Sequence, residues 1–254
     1  MLIAYSDILA AAVLAASAAD LNSPVSNIQL ADNIRIWRCP AASGYFTADF
    51  GSPLPYRVLV LSGVNLTAAA TIRLEASDVS TSGNEIHDSG TVNAGIVYPF
   101  TTVYLLLPAQ VTSRYIRVTL ADATLTEINV GRGWISTSSE TQYGPGFELQ
   151  ILPYDQGRQA LTVGGAIQTN PGPKGRGLDL LLNMQDDEAL NLAARIDLLN
   201  GQNKDILLMI DTSGSYIPQK SVLGLIEQAT GIRLNNAGRG VNLWSKRYIV
   251  RERL

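Results

Sequence analysis

Residues 115–120 read Tyr-Ile-Arg-Val-Thr-Leu. Ile116, Val118 and Leu120 fall on one side of an extended chain, and Arg117 and Thr119 fall on the other. A side-chain period of two marks a strand with one buried and one wet face. The same texture spreads outward. Upstream lie Arg35 to Trp37, Tyr45 to Phe50, Tyr56 to Leu61, Ala70 to Ala76 and Ile96 to Leu107; downstream lies Leu125 to Ile135. Turn formers separate these runs, and nothing up to Ile135 carries a convincing helical period. Many short strands at regular spacing predict a β-sandwich. Pro53, Pro55 and Pro108 are expected at strand ends, where a proline removes no ladder hydrogen bond.

The run Ile8 to Ala19 is rich in small residues. It lacks the basic n-region of a signal peptide, since Asp7 precedes it and the first basic residue is Arg35. It is also too short for a bilayer span of about 20 residues. A first strand of the fold is the expectation. Asn65-Leu66-Thr67 matches a glycosylation sequon by pattern alone.

Around Thr137 to Gly146 the chain becomes polar and closes in turn formers, which predicts a domain junction near residue 140. Residues 1–140 then form the sandwich, and residues 141–254 a smaller α+β domain. In the second part Gln159 to Ile167 is expected as a strand, Thr169 to Gly177 as a mobile loop and Leu178 to Asn183 as a strand. Asp186 to Asn200 is the one amphipathic helix, with Ala189, Leu192, Ala193, Ile196 and Leu199 as its apolar stripe. Gly201 suits its C-terminal stop. Lys204 to Asp211 is an apolar strand between charged ends. Val241 to Leu254 reads as a final strand whose Lys246, Arg247, Arg251 and Arg253 suit a charge-protected edge or an inter-subunit contact. The fold class expected is mainly β.

Composition removes most chemistries. The chain carries 19 Lys and Arg against 22 Asp and Glu, a formal charge of −3, which argues against electrostatic capture of nucleic acid. One cysteine, Cys39, excludes an internal disulfide and a thiolate cage for zinc. One histidine, His87, lies in a polar stretch from Ser80 to Gly90 without a triad-like motif, so it is expected to be a solvated loop residue. Asp211-Thr212-Ser213-Gly214-Ser215 follows an apolar strand and has the carboxylate and hydroxyls of a metal-ion-dependent adhesion site. Pro218 interrupts the helix such a site requires, so a hydroxyl-rich turn is expected. The same segment departs from the Asp-Thr-Gly of aspartic proteases by the inserted Ser213. Asp186-Asp187-Glu188 suits a helix start better than a catalytic pair. Gly172 to Gly177 lacks P-loop spacing, so no nucleotide site is implied. No catalytic residue, metal ligand or cofactor is expected, and no ligand-binding residue is assigned.

Several pieces together resemble a galactose-binding-like (discoidin-type) jelly roll over residues 8–135. These are Ala15-Ala16-Ser17, Ser26-Asn27-Ile28, Trp37-Arg38, Ala48-Asp49-Phe50-Gly51, Val58 to Asn65, Thr71 to Ser77 and Tyr115-Ile116-Arg117-Val118. The chain lacks the disulfide that often ties extracellular members, and its loops show no aromatic platform for a sugar ring. Over nearly its full length the chain resembles tail proteins of tailed bacteriophages. Ile128-Asn129-Val130-Gly131-Arg132-Gly133-Trp134-Ile135, Tyr143-Gly144 and the segments Asp186 to Leu199, Asp205 to Asp211 and Trp244 to Leu254 carry that resemblance.

That second resemblance implies a structural virion protein of the phage tail, a distal tail or baseplate component at the tube–baseplate junction. Such a subunit forms a homo-oligomeric ring, assembles in host cytoplasm, contacts other tail tube and baseplate proteins, and is not an enzyme. It reads no nucleic acid sequence and inserts into no membrane. The low charge, 16% of residues, is what extensive subunit interfaces would require. The alternative is a carbohydrate-binding module contacting host-surface glycans. An accessory domain of a secreted glycosidase is a third option.

Overall fold

The computed structural model describes every residue except 81–83, 146–147, 156, 162–166, 171, 173, 213–215, 238–241 and 254. Its elements, in chain order, are β1 (Leu2–Ala4), β2 (Val13–Ala16), β3 (Trp37–Cys39), β4 (Ser43–Ser62), β5 (Thr71–Ser77), β6 (Glu85–Asp88), β7 (Val92–Asn93), β8 (Thr102–Ala121), β9 (Ile128–Val130) and β10 (Arg132–Ser136). Then follow β11 (Ser139–Glu140), β12 (Gln150–Asp155), β13 (Arg158–Leu161), β14 (Ile167–Asn170), β15 (Lys174–Met184), a helix, β16 (Asp205–Met209), β17 (Ser221–Ala229), β18 (Arg233–Ala237) and β19 (Asn242–Glu252). Two compact units result. One comprises Ala4–Ser138 with Thr212–Gln219; the other comprises Met1–Ile3, Ser139–Asp211 and Lys220–Leu254. The fold is mainly β.

The first unit is a jelly-roll β-sandwich. Its seven-stranded sheet runs β10-β4-β8-β5-β6, with β2 paired to β4 and β7 to β5, and β3 pairs separately with β9. The period of two in residues 115–120 does what it predicts: Ile116, Val118 and Leu120 are buried, and Arg117 and Thr119 are not. They join Phe46, Leu74 and Trp37 in one core. Trp37 meets Phe46 edge to face at 5.8 Å, and its indole N–H donates to the Ala18 carbonyl at 3.0 Å. An aromatic buried this way satisfies its polar tip while contributing its full apolar area. The small-residue opening belongs to this fold: a 3₁₀ turn at Leu9–Ala11 buries Leu9, and β2 follows.

The prolines depart from expectation. Tyr45 to Phe50 and Tyr56 to Leu61 are one 20-residue strand, β4, against the equally long β8. The register shifts between Asp49 and Leu54 and again between Tyr56 and Val58. Pro53 falls in the first break, Pro55 lies between the two, and Pro108 lies where β8 skips from Leu106 to Val111. Pro53 and Pro108 therefore occupy interruptions of the ladder, Pro55 sits opposite Thr112 in the short paired stretch between the breaks, and none of the three ends a strand. The physical rule is the same, because a missing N–H costs nothing where no ladder bond forms. Gly51, at φ 76°, makes the turn inside the first break that a side chain would strain.

The second unit is α+β. Its sheet runs β11-β1-β16-β17-β19-β15-β12, with β18 paired to β19. Here three expectations are corrected. Gln159 to Ile167 is not one strand: β13 and β14 pair as a hairpin, with Leu161 opposite Ile167. Thr169 to Gly177 is not a loop throughout, since it contributes the end of β14 and the start of β15. The cationic β19 is no edge; it lies between β17 and β15, and its charges are paired instead. Arg247 grips Asp179 at 2.7 Å through two bonds, and buried Lys246 meets Asp197. The helix covers residues 186–199, with a π-helical stretch at Glu188–Ala193 before α1 (Ala194–Leu199). The wider turn rotates later residues off the 3.6 spacing. Ala189, Ala193 and Ile196 are buried, but Leu199, expected in the stripe, is half exposed. Gly201 stops the helix at φ 50°.

Two measurements follow. A Cβ at Gly224 would overlap the Arg251 carbonyl across the β17–β19 pairing. Gly224→Ala is expected to lower stability by about 1–3 kcal/mol or more, read as a drop in chemical-denaturation midpoint. Burial pushes the Asp7 carboxyl up to about 6, against the opposing attraction of Arg132. The fold thus prefers the protonated acid, so stability rises as pH falls from about 6 towards 4. Asp7→Asn keeps the acceptor for the Leu9 N–H and should flatten that rise in pH-dependent denaturation.

Candidate functional site

The wet faces of β2, β4, β8, β5 and β6 line up across the jelly-roll sheet. Register places Val13, Asp49, Tyr115, Ser77 and Glu85 in one row, one residue from each strand. A second row holds Ala15, Thr47, Arg117, Glu75 and Asp88. Neighbouring strands lie about 4.8 Å apart, so each row runs about 19 Å at right angles to the strands. Residues of both rows, with Val79 and Ser80 from the segment after β5, line an open groove of about 200 Å³.

Its electrostatics follow from pairing. Arg114 donates to both carboxylate oxygens of Asp49, at 2.8 and 2.9 Å, and its guanidinium lies 4.8 Å from the Tyr115 ring. The Arg114 hydrogen bonds hold the Asp49 carboxyl down at about 2. Arg73 clamps Asp88 at 2.9 and 2.7 Å and reaches Glu75 at 3.1 Å. Those hydrogen bonds likewise hold Asp88 at about 2. Arg117 differs. It stacks over the Tyr45 ring at 4.6 Å, and its Nε is shielded from water without a hydrogen-bond partner. The groove therefore offers carboxylate acceptors held ionised, hydroxyls on Thr47, Ser77 and Tyr115, an aromatic face, and a guanidinium fork. A concave site with a few convergent polar groups is what small-ligand recognition uses.

The residues singled out by sequence fall elsewhere. His87 is not in a loop: it lies in β6 opposite buried Ala76, on the face away from the groove. Asp211 pairs with Lys220 at 3.4 Å, while Ser213, Gly214 and Ser215 lie outside the described residues. Among the described residues no three His, Cys, Asp or Glu side chains stand together as a metal site. Asp186 accepts from the Trp244 indole at 2.5 Å, Asp187 from the Asn191 side-chain amide, and Glu188 from the Gln142 and Gln185 main-chain amides, so the acidic trio is bound into its own unit. Lys174 and Arg176 of the glycine-rich segment face Asp155 and Glu252. Asn65 donates to the Glu127 carbonyl and accepts from the Asn129 amide, a structural use of its side chain. The groove itself was not assigned from sequence; its signal was the wet parity of Arg117.

No protein-family model matches the chain, and no curated protein matches it. Solved structures do. A fucose-binding module of Streptococcus pneumoniae is 13% identical with a TM-score of 0.42, covering 52% of this chain and 95% of its own. The lectin domain of Lectinolysin complexed with Lewis B antigen is 10% identical with a TM-score of 0.43, covering 53% and 98%. The CBM32 of AlyQ in complex with 4,5-unsaturated mannuronic acid is 19% identical with a TM-score of 0.38, covering 52% and 96%. Likeness at these levels transfers no ligand to this chain.

The Asp49–Arg114 pair is testable alone. Arg114→Ala should let the Asp49 carboxyl rise from about 2 towards the ordinary carboxylate range, followed by carboxyl-carbon NMR titration. An unmoved titration would show that the Gly51 amide, not Arg114, sets it.

Proposed function

We propose that the jelly-roll unit is a carbohydrate-binding module that holds an oligosaccharide in the groove across β2, β4, β8, β5 and β6, with no catalytic step. One observation carries this reading: donors, acceptors and an aromatic face stand in register on a single concave surface about 19 Å long. Sugars present hydroxyls that both donate and accept, and apolar ring faces that stack on aromatics. Thr47, Ser77, Glu75 and Tyr115 answer those needs. The jelly-roll resemblance in the sequence agrees with a binding role. A glycan array with the purified chain should give a defined set of hits, and Tyr115→Ala or Thr47→Ala should weaken them. Hits unchanged in both variants would remove the site.

A second reading, a structural subunit of a phage tail ring at the tube–baseplate junction, has its own observation. In the α+β unit the β13–β14 hairpin exposes Leu161 by 74% and Ile167 by 68%, directly opposite one another, and the helix exposes Leu198 by 85%. Apolar side chains so placed suit contact with neighbouring subunits, since covering apolar area gives about 25 cal/mol per Å². The sequence resemblance to tail proteins supplies the particle. The two readings are compatible, because a ring can carry a binding module outward. Light scattering and electron microscopy of the purified chain should show a closed oligomer that Leu161→Asp disperses. A monomer at high concentration, together with absence of the chain from particles by mass spectrometry, would exclude the ring.

A further inference from the structure

The charges of the groove do not cancel pairwise. Asp49 is held by Arg114, Glu75 and Asp88 share Arg73, and Glu85 adds a further carboxylate at the β6 end of the first row. Arg117 stands in the second row between Thr47 and Glu75, yet among the described residues it takes part in no ion pair or hydrogen bond; its recorded contact is the Tyr45 ring. The Glu75 opposite it is turned to Arg73 instead. Stacking fixes the plane of a guanidinium and leaves its outer N–H groups free, and its weak hydration makes it ready to give up water to a ligand. A planar fork of this kind matches a carboxylate through two parallel bonds.

We infer that the ligand of the groove is an acidic oligosaccharide, one sugar of which places its carboxylate on Arg117 while neighbouring sugars lie along the rows towards Tyr115 and Thr47. This rests on the carbohydrate-binding reading and adds the ligand class and the residue that selects it. A neutral glycan leaves Arg117 without a counter-charge. A carboxylate supplies it as a direct partner, while Asp49 keeps Arg114 and Glu75 shares Arg73 with Asp88.

The test is a glycan array of uronate- and sialate-bearing oligosaccharides printed beside the same glycans with each carboxyl methyl-esterified, followed by calorimetry on the best pair. Expected are affinities about tenfold or more tighter for the acid than for its ester, falling with added salt. Arg117→Met keeps the stem over Tyr45 and should bring the acid down to the ester while the ester itself is unchanged; Arg117→Lys should recover only part. Circular dichroism and the denaturation midpoint report whether the variants fold, and Thr119→Ala, on the same wet face but outside the groove lining, serves as a second folded control. Equal binding of acid and ester, or a preference that survives Arg117→Met in a folded variant, overturns the acidic assignment and leaves the carbohydrate reading standing. Binding to sulfated glycans as tight as to carboxylated ones of the same length overturns the carboxylate in favour of a general anion. An array without any hit removes the carbohydrate reading itself.

Discussion

The antiparallel pairing of β4 with β8 is the constraint on which the jelly-roll unit depends. Each strand is 20 residues long, well beyond the usual five or six, and together they carry β2, β10 and β5 on their flanks. A ladder that long must bend to enclose a core, because strands twist as they extend. The bend is supplied where the register slips, at Gly51, Pro53 and Pro108. Interruption in the ladder and closure of the sandwich are therefore one event. Buried Tyr56 sits beside the second slip and bonds Ser113 of β8 at 2.8 Å within the short stretch between the slips, and burial pushes the Tyr56 phenol up to about 12. A neutral phenol is what such a site can hold.

The same pairing creates the candidate site. In a sheet the side-chain period of two sends every second residue to the outer face, and register decides which residues of different strands become neighbours. Asp49, Tyr115 and Ser77 come from three strands with long intervening chain, yet they share one row. A slip of one residue in β8 would send Arg117 and Tyr115 into the core and Ile116 into the groove. Core and site thus protect each other's register: the apolar parity of β8 cannot be buried unless its polar parity faces the groove.

The α+β unit solves a different problem. Its β19 carries Lys246, Arg247 and Arg251 into the middle of a sheet, a place where an unpaired cation would be costly. Each has an acidic partner, Asp197, Asp179 and Glu227 respectively. Arg251 also lies 4.1 Å from the Tyr154 ring. Long stems bury apolar length while their heads stay paired, so the strand keeps the hydrophobic face needed for packing on the helix. Leu198 and the Leu161–Ile167 pair are among the apolar groups this unit leaves uncovered.

Local pattern in the sequence determined the mainly β class, the buried parity of Ile116, Val118 and Leu120, the buried strand at Asp205–Met209 and the helix stop at Gly201, because each depends on residues within a turn or a strand of one another. It misplaced Pro53, Pro55 and Pro108, since whether a proline ends a strand or falls inside one, at or beside a break in register, depends on the partner strand. It set β19 at an edge, because charge alone does not reveal the acids that neutralise it from β15, β17 and the helix. It expected His87 in a loop, where a bulge against β5 makes a strand. The groove belongs wholly to the tertiary level. Arg117 was legible as a wet residue, but its lack of a counter-charge was not. That depends on Arg73 having taken Glu75, and on strands distant in the chain meeting in one register rather than another.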